Sequence, residues 1–519
     1  MGLITIVLVA LLIGLGIHIF IKRIKFMRLR DECGFDGPPI GFIQFLIGHM
    51  YDIVKDAIVN GPENGAYFVI KLHEKYGETF GHYFGWHFAV RTTDPVIMKE
   101  VFIKQFGNFT DRENNTYTMG YPLGESLLQI GRDGPHEYGW KEVRSITSPI
   151  FTTGKMKAML PIMHERVVTL IDVLKSKAVD GRINVDVYDE FQALTMDVIG
   201  RTAFGVQADS LHDRNDTFYV NGRNFFNEFT IEKSWMLLVS IMVPFLGTIC
   251  RPYSKLNGYQ QIIAKNLTEV VTERRKRMES GWTPKGQVDL IDLLLQQDII
   301  RQQNENKPPM HIDTIVSNCY GFLLAGYETT STALAFTAWL LAKNPHVQEK
   351  LYAEIVEKVG NDSKARGEYD VVMKLPYLDA VFQESLRIRP PVIFFSSRTC
   401  VKETYINGFK FTPGTHVGSP VHAIHWDPNL WPNPEVFDPE RFIDGKPAHE
   451  MAWVAFGVGP RHCVGQRFAE MEYKFALLEL IQSFKLELTE KSDDPLQHRV
   501  NIVVLRPLNG VHLALVPRD

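Results

Sequence analysis

The sequence is poor in cysteine, with five cysteines among 519 residues. They are widely spaced and odd in number, which argues against a disulfide scaffold and is typical of a protein from a reducing compartment. The chain also lacks low-complexity linkers and internal repeats, although its length could hold several domains. These absences exclude a small disulfide-rich fold and a repeat architecture. The cysteines are Cys33, Cys250, Cys319, Cys400 and Cys463.

The chain also lacks a large excess of charge of either sign. The chain has 56 lysines and arginines against 60 aspartates and glutamates, a formal net charge of −4. Because there is no long basic run beyond the N-terminal segment, the sequence gives no support for nucleic-acid binding.

Long apolar runs are rare, and the longest is at residues 3–21. As a helix this run would span roughly 28 Å, close to the ~30 Å hydrocarbon thickness of a bilayer. A basic cluster between Lys22 and Arg30 follows it, so by the positive-inside rule the rest of the chain stays cytosolic. A cleaved signal peptide is the alternative, which the uncharged start and the absence of a small-residue cleavage site disfavour. We therefore predict a membrane anchor at 1–33 and a single domain at 34–519.

A second uncharged stretch covers residues 234–246. It is too short to cross a bilayer, and Pro244 would interrupt a helix there. Two interpretations remain open, a buried core helix and a patch that dips into the membrane surface.

The rest of the pattern predicts a mainly α protein with small β-sheets. Apolar runs at 82–84 and 87–90 are typical of short strands, whereas helical patterns dominate from 140 to 303. A long apolar helix is predicted from 312 to 341, with Asn344-Pro345 at the N-cap and first position of the next helix.

The most informative stretch is residues 456–465, Phe-Gly-Val-Gly-Pro-Arg-His-Cys-Val-Gly. Its glycines allow tight turns and the close approach of a flat ligand. A helical pattern begins just after Cys463, so we expect the helix dipole and Arg461 to lower the pKa of this thiol. An arbitrary cysteine in such a turn is most often structural, but this spacing favours a soft metal ligand.

The pattern Phe-x-x-Gly-x-Arg-x-Cys-x-Gly resembles the haem-binding loop of the cytochrome P450 family at every fixed position. A chance match is expected on the order of once in ten thousand chains of this length. The resemblance implies a helical triangular prism with small β-sheets behind one N-terminal transmembrane helix. It also implies that Cys463 is the axial thiolate of haem b, which favours O–O cleavage.

Within the long predicted helix lies Ala325-Gly326-Tyr327-Glu328-Thr329-Thr330. Alone, this polar group could be a satisfied notch in a core helix. Together with the cysteine loop it resembles the family's distal-helix motif, Ala/Gly-Gly-x-Asp/Glu-Thr. The resemblance assigns Glu328 and Thr329 to the protonation of iron-bound dioxygen.

Further residues match family positions that hold the haem or stabilise the fold around it and that take no part in the chemistry. Glu384-x-x-Arg387 followed by Arg441 resembles the family's structural ion triad, although Glu-x-x-Arg alone is common. Four other positions resemble the groups that hold the haem propionates, and the resemblance implies that Phe456, which opens the cysteine loop, also binds the cofactor. These four are Trp140, Arg144, Arg398 and Arg461.

Several apolar positions are predicted by the resemblance to line the substrate chamber, together with the loop 114–128. Their bulk favours apolar ligands, but aromatic residues in a helical core would look the same. The positions are Phe322, Leu323, Ile393, Phe394 and Phe395.

The function implied by the resemblance is a microsomal-type monooxygenase. It would insert one oxygen atom of dioxygen into an apolar xenobiotic, steroid or fatty acid, with electrons from NADPH through NADPH–cytochrome P450 reductase. Cytochrome b5 is a second candidate partner, and the enzyme would be a single-pass protein of the endoplasmic reticulum membrane facing the cytosol. Candidate reductase contacts are Lys141, Lys155, Lys157, Arg467 and Lys474.

Two other classes remain as alternatives. One is a haem-thiolate isomerase or dehydratase that needs neither dioxygen nor reductase, and the other is a non-catalytic haem protein. The retained Glu328-Thr329 pair favours the monooxygenase over the isomerase.

Overall fold

The structure is a computed structural model that describes most of the chain. The described residues are 2–61, 65–112, 119–230, 233, 239–240, 243–282, 288–305, 307–360, 362–394, 397–443, 447, 449–501 and 504–518. Most of the uncharged stretch 234–246, residues 114–118 of the chamber loop and Phe395 therefore lie outside the described residues, and their predictions stay predictions.

Helices make up most of the described chain, as predicted. They are α1 (Gly2–Glu32), α2 (Phe42–Ile47), α3 (Met50–Asn60), α4 (Gly65–Tyr76), α5 (Pro95–Lys99), α6 (Trp140–Thr147), α7 (Thr153–Ser176), α8 (Val187–Phe204), α9 (Thr217–Glu228), α10 (Pro244–Cys250), α11 (Lys255–Glu279), α12 (Leu290–Glu305), α13 (Ile312–Lys343), α14 (Pro345–Lys358), α15 (Ser363–Arg366), α16 (Tyr369–Val372), α17 (Pro376–Ile388), α18 (Val421–His425) and α19 (Gln466–Ser483). Short 3-10 segments lie at Phe106–Asn108, Leu123–Glu125, Pro135–Glu137, Ser148–Phe151, Arg251–Tyr253 and Pro439–Phe442, and a π segment at Glu100–Lys104.

The strands are short and form small sheets, also as predicted. They are β1 (Thr79–Phe84), β2 (His87–Thr92), β3 (Ile183–Asp186), β4 (Ser397–Thr399), β5 (Thr404–Ile406), β6 (Phe409–Phe411), β7 (His416–Gly418), β8 (Phe484–Leu488), β9 (His498–Asn501), β10 (Val504–Pro507) and β11 (His512–Pro517). The predicted runs 82–84 and 87–90 lie in the β1–β2 hairpin. One sheet has the order β1-β2-β7-β4 and another β3-β11-β8, while β9–β10 and β5–β6 are two-stranded.

Helix α1 contains the predicted anchor. Residues Ile4–Glu32 are long and apolar enough to cross a membrane, and the apolar side chains of this helix from Ile4 to Ile21 are exposed. The end of the helix is fixed to the body, because the Arg23 guanidinium donates to the Gly85 carbonyl at 2.8 Å and the Tyr83 hydroxyl donates to the Met27 carbonyl at 2.9 Å. Arg23 is therefore buried, although the sequence places it in the basic cluster after the anchor.

Helix α13 is the central element of the body. It packs against α8, α11 and β8, and most of its residues are buried. The predicted helix 312–341 is thus confirmed, and α14 begins at Pro345 as expected. Asn344 holds the N-cap position, but its side chain donates to the Leu340 carbonyl at 2.8 Å and does not cap the next helix.

Candidate functional site

The cysteine loop is built on two left-handed glycines. Gly457 and Gly459 have φ values of 70° and 72°, a conformation that residues with a side chain rarely adopt. A Cβ atom at Gly459 would lie 2.0 Å from the carbonyl oxygen of Phe102, so the close approach of the segment at Glu100–Lys104 also requires glycine here. The Cys463 amide donates to the Phe456 carbonyl at 2.8 Å, which closes the loop just before α19.

The prediction that the pKa of Cys463 falls is wrong for this structure. Burial raises the pKa of the thiol, and the hydrogen bond from the Gly465 amide and the charges of Arg144 and Arg112 oppose this only in part. Desolvation therefore outweighs the nearby cations.

Cys463 lines an internal cavity of about 410 Å³. Helix α13 contributes Gly326 and Thr329 to the wall of the same cavity. The Thr329 hydroxyl donates to the Ala325 carbonyl at 2.6 Å, so it offers the backbone a rival partner as predicted, while the helix remains continuous. Most of the remaining wall is apolar and includes Leu123, Phe225, Phe226, Phe229, Leu386 and Val392.

Four arginines and one tryptophan line the cavity near the cysteine loop. Arg398 lies on β4 and donates to the Ser397 carbonyl at 2.7 Å, and Arg461 donates to the Ile130 carbonyl at 2.7 Å. Arg144, on α6, donates to the His462 carbonyl at 3.0 Å. The structure thus brings together the four predicted propionate-binding positions, and all of them lie in the cavity wall. The full set is Arg112, Trp140, Arg144, Arg398 and Arg461.

These arginines are held in an environment that disfavours their charge. Burial lowers the pKa of Arg398 to about 9, and Arg461 adds to the effect. Burial likewise lowers the pKa of Arg461 to about 10, while Asp111 opposes the shift. Within the described part of the chain, Nε of Arg398 and both Nε and Nη1 of Arg461 are buried without a hydrogen-bond partner. Unsatisfied buried guanidinium groups are costly, so this wall fits a ligand that carries carboxylates.

Glu328 does not reach the cavity. Its carboxylate is fully buried and forms an ion pair with Arg506 at 2.6 Å, accepts from Gln192 at 3.1 Å and accepts a hydrogen bond from Tyr188. Burial raises the pKa of Glu328 although Arg506 opposes this. Of the two neighbouring motif residues, Thr329 therefore lies at the cavity and Glu328 lies in a separate cluster in which its carboxylate is fully paired.

Glu384, Arg387 and Arg441 are brought together as the resemblance implies. The Arg387 guanidinium donates to both carboxylate oxygens of Glu384 at 2.7 and 2.8 Å, and Nε of Arg441 lies 3.5 Å from Glu384. The Asp438 amide also donates to Glu384 at 3.0 Å. Because Glu384 and Arg387 are fully buried, this pair differs from the weak exposed pair that the spacing alone suggests.

The predicted chamber residues are divided by the structure. Phe322 and Phe394 line the cavity, together with the described part of the chamber loop from Met119 to Leu128. Leu323 and Ile393 are completely buried in the core and do not line the cavity, so the structure does not place them in the chamber wall.

Among the candidate reductase contacts, Lys474 is not a surface cation. Its ammonium group is buried between Asp379 and Glu470, at 2.7 Å from each carboxylate. Lys157 forms an ion pair with Asp370. The remaining three, Lys141, Lys155 and Arg467, are exposed.

Sequence reasoning missed Arg112, Tyr188 and Arg506. Arg112 lines the cavity itself. Tyr188 and Arg506 contact residues that are distant in the chain, since Tyr188 is 140 positions from Glu328 and 318 positions from Arg506. No local pattern marks such pairs, although Arg506 stands out as a cation inside an apolar strand.

The comparisons with known proteins identify the family of this chain. The family model described as Cytochrome P450 matches residues 45–514. The chain is 33% identical over 459 residues to Cytochrome P450 3A29 of Sus scrofa, covering 86% of each chain. It is also 33% identical to Cytochrome P450 3A5 of Homo sapiens and 34% identical to Cytochrome P450 3A13 of Mus musculus, covering 87% of each chain in both cases.

Proposed function

The chain belongs to the cytochrome P450 family of haem-containing oxidoreductases, and we propose that Cys463 is the thiolate that binds the iron of its haem b. The observation that carries this proposal is the position of Cys463 in the wall of a cavity that it shares with four arginines. A thiolate and a set of cations that line one apolar cavity match the two parts of haem b that need protein partners, the central iron and the propionates.

The arginines bind and orient the cofactor. Arg144, Arg398 and Arg461, with Arg112 and the Trp140 indole, supply donors to two carboxylates. Binding satisfies the guanidinium nitrogens of Arg398 and Arg461 that lack partners in the described protein. The same carboxylates offset the mutual repulsion of Arg398 and Arg461, so the cost of burying these cations is recovered when haem binds.

When bound, haem b supplies the iron at which dioxygen is activated for insertion of one oxygen atom into the substrate. Thr329 is the protein group best placed to handle a proton, because it lines the cavity that Cys463 also lines. In the structure this hydroxyl donates to the Ala325 carbonyl, so its oxygen keeps lone pairs that can accept a hydrogen bond from a water molecule in the cavity.

Glu328 supports the site through its neighbour in the chain. Its bonds to Arg506, Tyr188 and Gln192 fix the turn of α13 that carries Thr329. We therefore assign Glu328 as a positioning residue, with direct proton transfer requiring its side chain to leave Arg506.

The substrate is an apolar small molecule, such as a foreign compound, a steroid or a fatty acid. Support comes from the cavity wall, in which Phe225, Phe226, Phe322 and Phe394 offer large apolar surfaces, since burying such surface is the main source of affinity.

Electrons reach the site from NADPH through NADPH–cytochrome P450 reductase, with cytochrome b5 as a second donor. The proposed contacts with the reductase are three exposed cations, Lys141, Lys155 and Arg467. Helix α1 anchors the enzyme in the endoplasmic reticulum membrane with the body in the cytosol.

The direct test is turnover under isotopic dioxygen. The full-length enzyme with reductase and NADPH should incorporate one labelled oxygen atom into a steroid or drug-like substrate, and Thr329→Ala should divert reducing equivalents to peroxide. Thr337→Ala is a matched control, because Thr337 lies on the same helix but bonds Tyr473 in the core. Product formed without NADPH would favour an isomerase or dehydratase, and haem binding with no product from a broad panel would favour a non-catalytic haem protein.

A further inference from the structure

A second cluster of metal-binding side chains lies apart from the cysteine loop. His136 Nε2 is 3.8 Å and His311 Nδ1 is 3.5 Å from the Asp313 carboxylate. The two imidazole rings are stacked, with centroids 3.7 Å apart and planes 8° from parallel. One ligand atom from each of the three residues lies within 4.8 Å of the other two.

The cluster joins two segments that the protein already holds together. His136 lies in the turn Pro135–Glu137, before α6, and His311 and Asp313 lie at the start of α13. The Tyr138 hydroxyl donates to the Pro308 carbonyl at 3.0 Å, and Arg301 donates to the same carbonyl at 2.8 Å. The approach of the two histidines is therefore fixed by neighbouring hydrogen bonds and needs no metal to form.

The backbone at His136 adds a second observation. Its φ of 57° places it in the left-handed region, which is uncommon for a residue with a side chain. Strained backbone of this kind persists where the surrounding structure imposes it, and it is concentrated at functional sites.

We propose that His136, His311 and Asp313 form a binding site for a divalent transition-metal ion, zinc being the best match. Two imidazole nitrogens with one carboxylate form a ligand set that suits zinc, whereas calcium and magnesium prefer sites made of oxygen ligands alone. In a tetrahedral site with bonds of about 2.0–2.1 Å, ligand atoms lie roughly 3.4 Å apart. The observed separations of 3.5 and 3.8 Å from the Asp313 carboxylate are close to this value, and the two stacked rings must rotate apart so that their in-plane lone pairs point to one ion.

The ligand side chains are accessible to solvent. The side chains of His136, His311 and Asp313 are 34%, 46% and 39% exposed, which leaves an entry path and a fourth position for water. Nδ1 of His311 accepts a hydrogen bond from the Asp313 amide at 3.2 Å, so this nitrogen is unprotonated. Metal binding exchanges that hydrogen bond for a bond to the ion.

Such an ion would connect two walls of the large cavity. The turn with His136 leads into α6, which carries Trp140 and Arg144, whereas α13 carries Thr329 further along. Because the ion binds only the folded arrangement, it stabilises the folded protein. This inference is independent of the proposed function, since none of the three ligands lines that cavity.

The test is calorimetric titration of chelator-treated, haem-loaded enzyme with zinc chloride. We expect one saturable site in the wild type, and binding at least about tenfold weaker in His136→Asn and in His311→Asn, since loss of even an outer-shell partner costs 10–100-fold. Asparagine tolerates the left-handed backbone at position 136 and caps the helix at position 311. Both variants should therefore fold normally.

His346→Asn is the matched control, because His346 is an exposed histidine on α14, away from the cluster. It should bind zinc as the wild type does. Zinc should also raise the unfolding temperature of the wild type and of this control, but not of the two cluster variants. Absence of saturable binding in the wild type, or equal affinity in His136→Asn and the wild type, would overturn the proposal and leave an ordinary histidine–carboxylate cluster.

Discussion

The arginines beside the cavity and the arginines deeper in the body are both buried, but their charges are balanced differently. Arg387 and Arg506 each have a carboxylate within hydrogen-bonding distance, from Glu384 and Glu328. Arg398 hydrogen-bonds only to a backbone carbonyl among the described residues, and its guanidinium lies 5.0 Å from the Phe102 ring.

The pKa values separate the two groups. Burial disfavours the charge of Arg506, but Glu328 and Tyr188 outweigh it and raise the pKa. Burial lowers the pKa of Arg398 and Arg461 to about 9 and about 10. A complete cluster indicates a structural role, whereas an incomplete one indicates that a ligand supplies the missing charge. The following predictions test this difference, beginning with the largest expected effect.

Glu384→Gln should destabilise the protein most, because it leaves Arg387 and Arg441 without their shared carboxylate. Breaking a buried pair in this way costs about 3–5 kcal/mol, and we expect that loss in the free energy of unfolding measured with urea. The control is Glu357→Gln, whose pair with Lys358 is exposed and should contribute little to stability. Similar small losses in both variants would show that the Glu384 cluster does not stabilise the fold.

Arg506→Met should lower the free energy of unfolding by about 3 kcal/mol near pH 8, since it leaves Glu328 buried without its cation. Burial already raises the pKa of Glu328 in the folded protein, and removal of Arg506 raises it further. A raised carboxyl pKa means that stability is lost as pH rises above the unfolded value of about 4.3. The deficit in unfolding temperature should therefore be larger at pH 8 than at pH 5.5.

Arg182→Met provides the comparison for that variant, because its pair with Glu487 is about half exposed on the arginine side. Its effect should be small at both pH values. A deficit of Arg506→Met that does not change with pH would mean that Glu328 stays in one protonation state and is not coupled to Arg506.

Arg398→Met should give the opposite result, with no loss of stability in the haem-free protein. Haem binding should weaken on the order of tenfold to a hundredfold, because hydrogen bonds to charged groups contribute about 1.5–3 kcal/mol. Transfer of haem to an excess of a scavenging protein measures the loss. Arg467→Met, which removes an exposed arginine, should leave transfer unchanged. Destabilised apoprotein with unaltered haem retention would place Arg398 in the structural group.

His425 allows a smaller test of the complete cluster. Its carbonyl accepts from Arg387 at 2.9 Å and its Nε2 accepts from the Val454 amide at 2.9 Å. Burial, with the charge of Arg387, lowers the pKa of His425 to about 3. Because the folded pKa is below the unfolded value of about 6.5, stability is lost as pH falls below 6.5, by about 1.4 kcal/mol per unit.

His425→Gln should remove that contribution while keeping an acceptor for Val454. The difference in stability between wild type and variant should therefore shrink as pH falls from 6.5 to 5. A difference that stays constant with pH would contradict a neutral, buried His425.

The elements that the sequence predicted are those with a local signal. Helix α13, the β1–β2 hairpin and the turn before α19 were predicted because each follows from neighbouring residues, such as the left-handed Gly459. Contacts between distant parts of the chain were not predicted. Arg506 hydrogen-bonds to Tyr188, which is 318 positions away, and the local spacing of residues does not indicate such a contact. The pKa of Cys463 was predicted in the wrong direction for the same reason, because local cations are visible in the sequence and burial is not.

The central claim is that Cys463 and the cavity arginines without carboxylate partners among the described residues, Arg398 and Arg461, together bind haem b. The most direct measurement is the absorption spectrum of the expressed protein, reduced with dithionite and exposed to carbon monoxide, for the wild type, Cys463→Ala and Cys250→Ala. Cys250 lies on α10, so its variant controls for the loss of a thiol elsewhere. We predict a strongly red-shifted Soret band in the wild type and Cys250→Ala that disappears in Cys463→Ala. A haem-loaded protein without that band, or a band that survives in Cys463→Ala, would contradict thiolate ligation by Cys463.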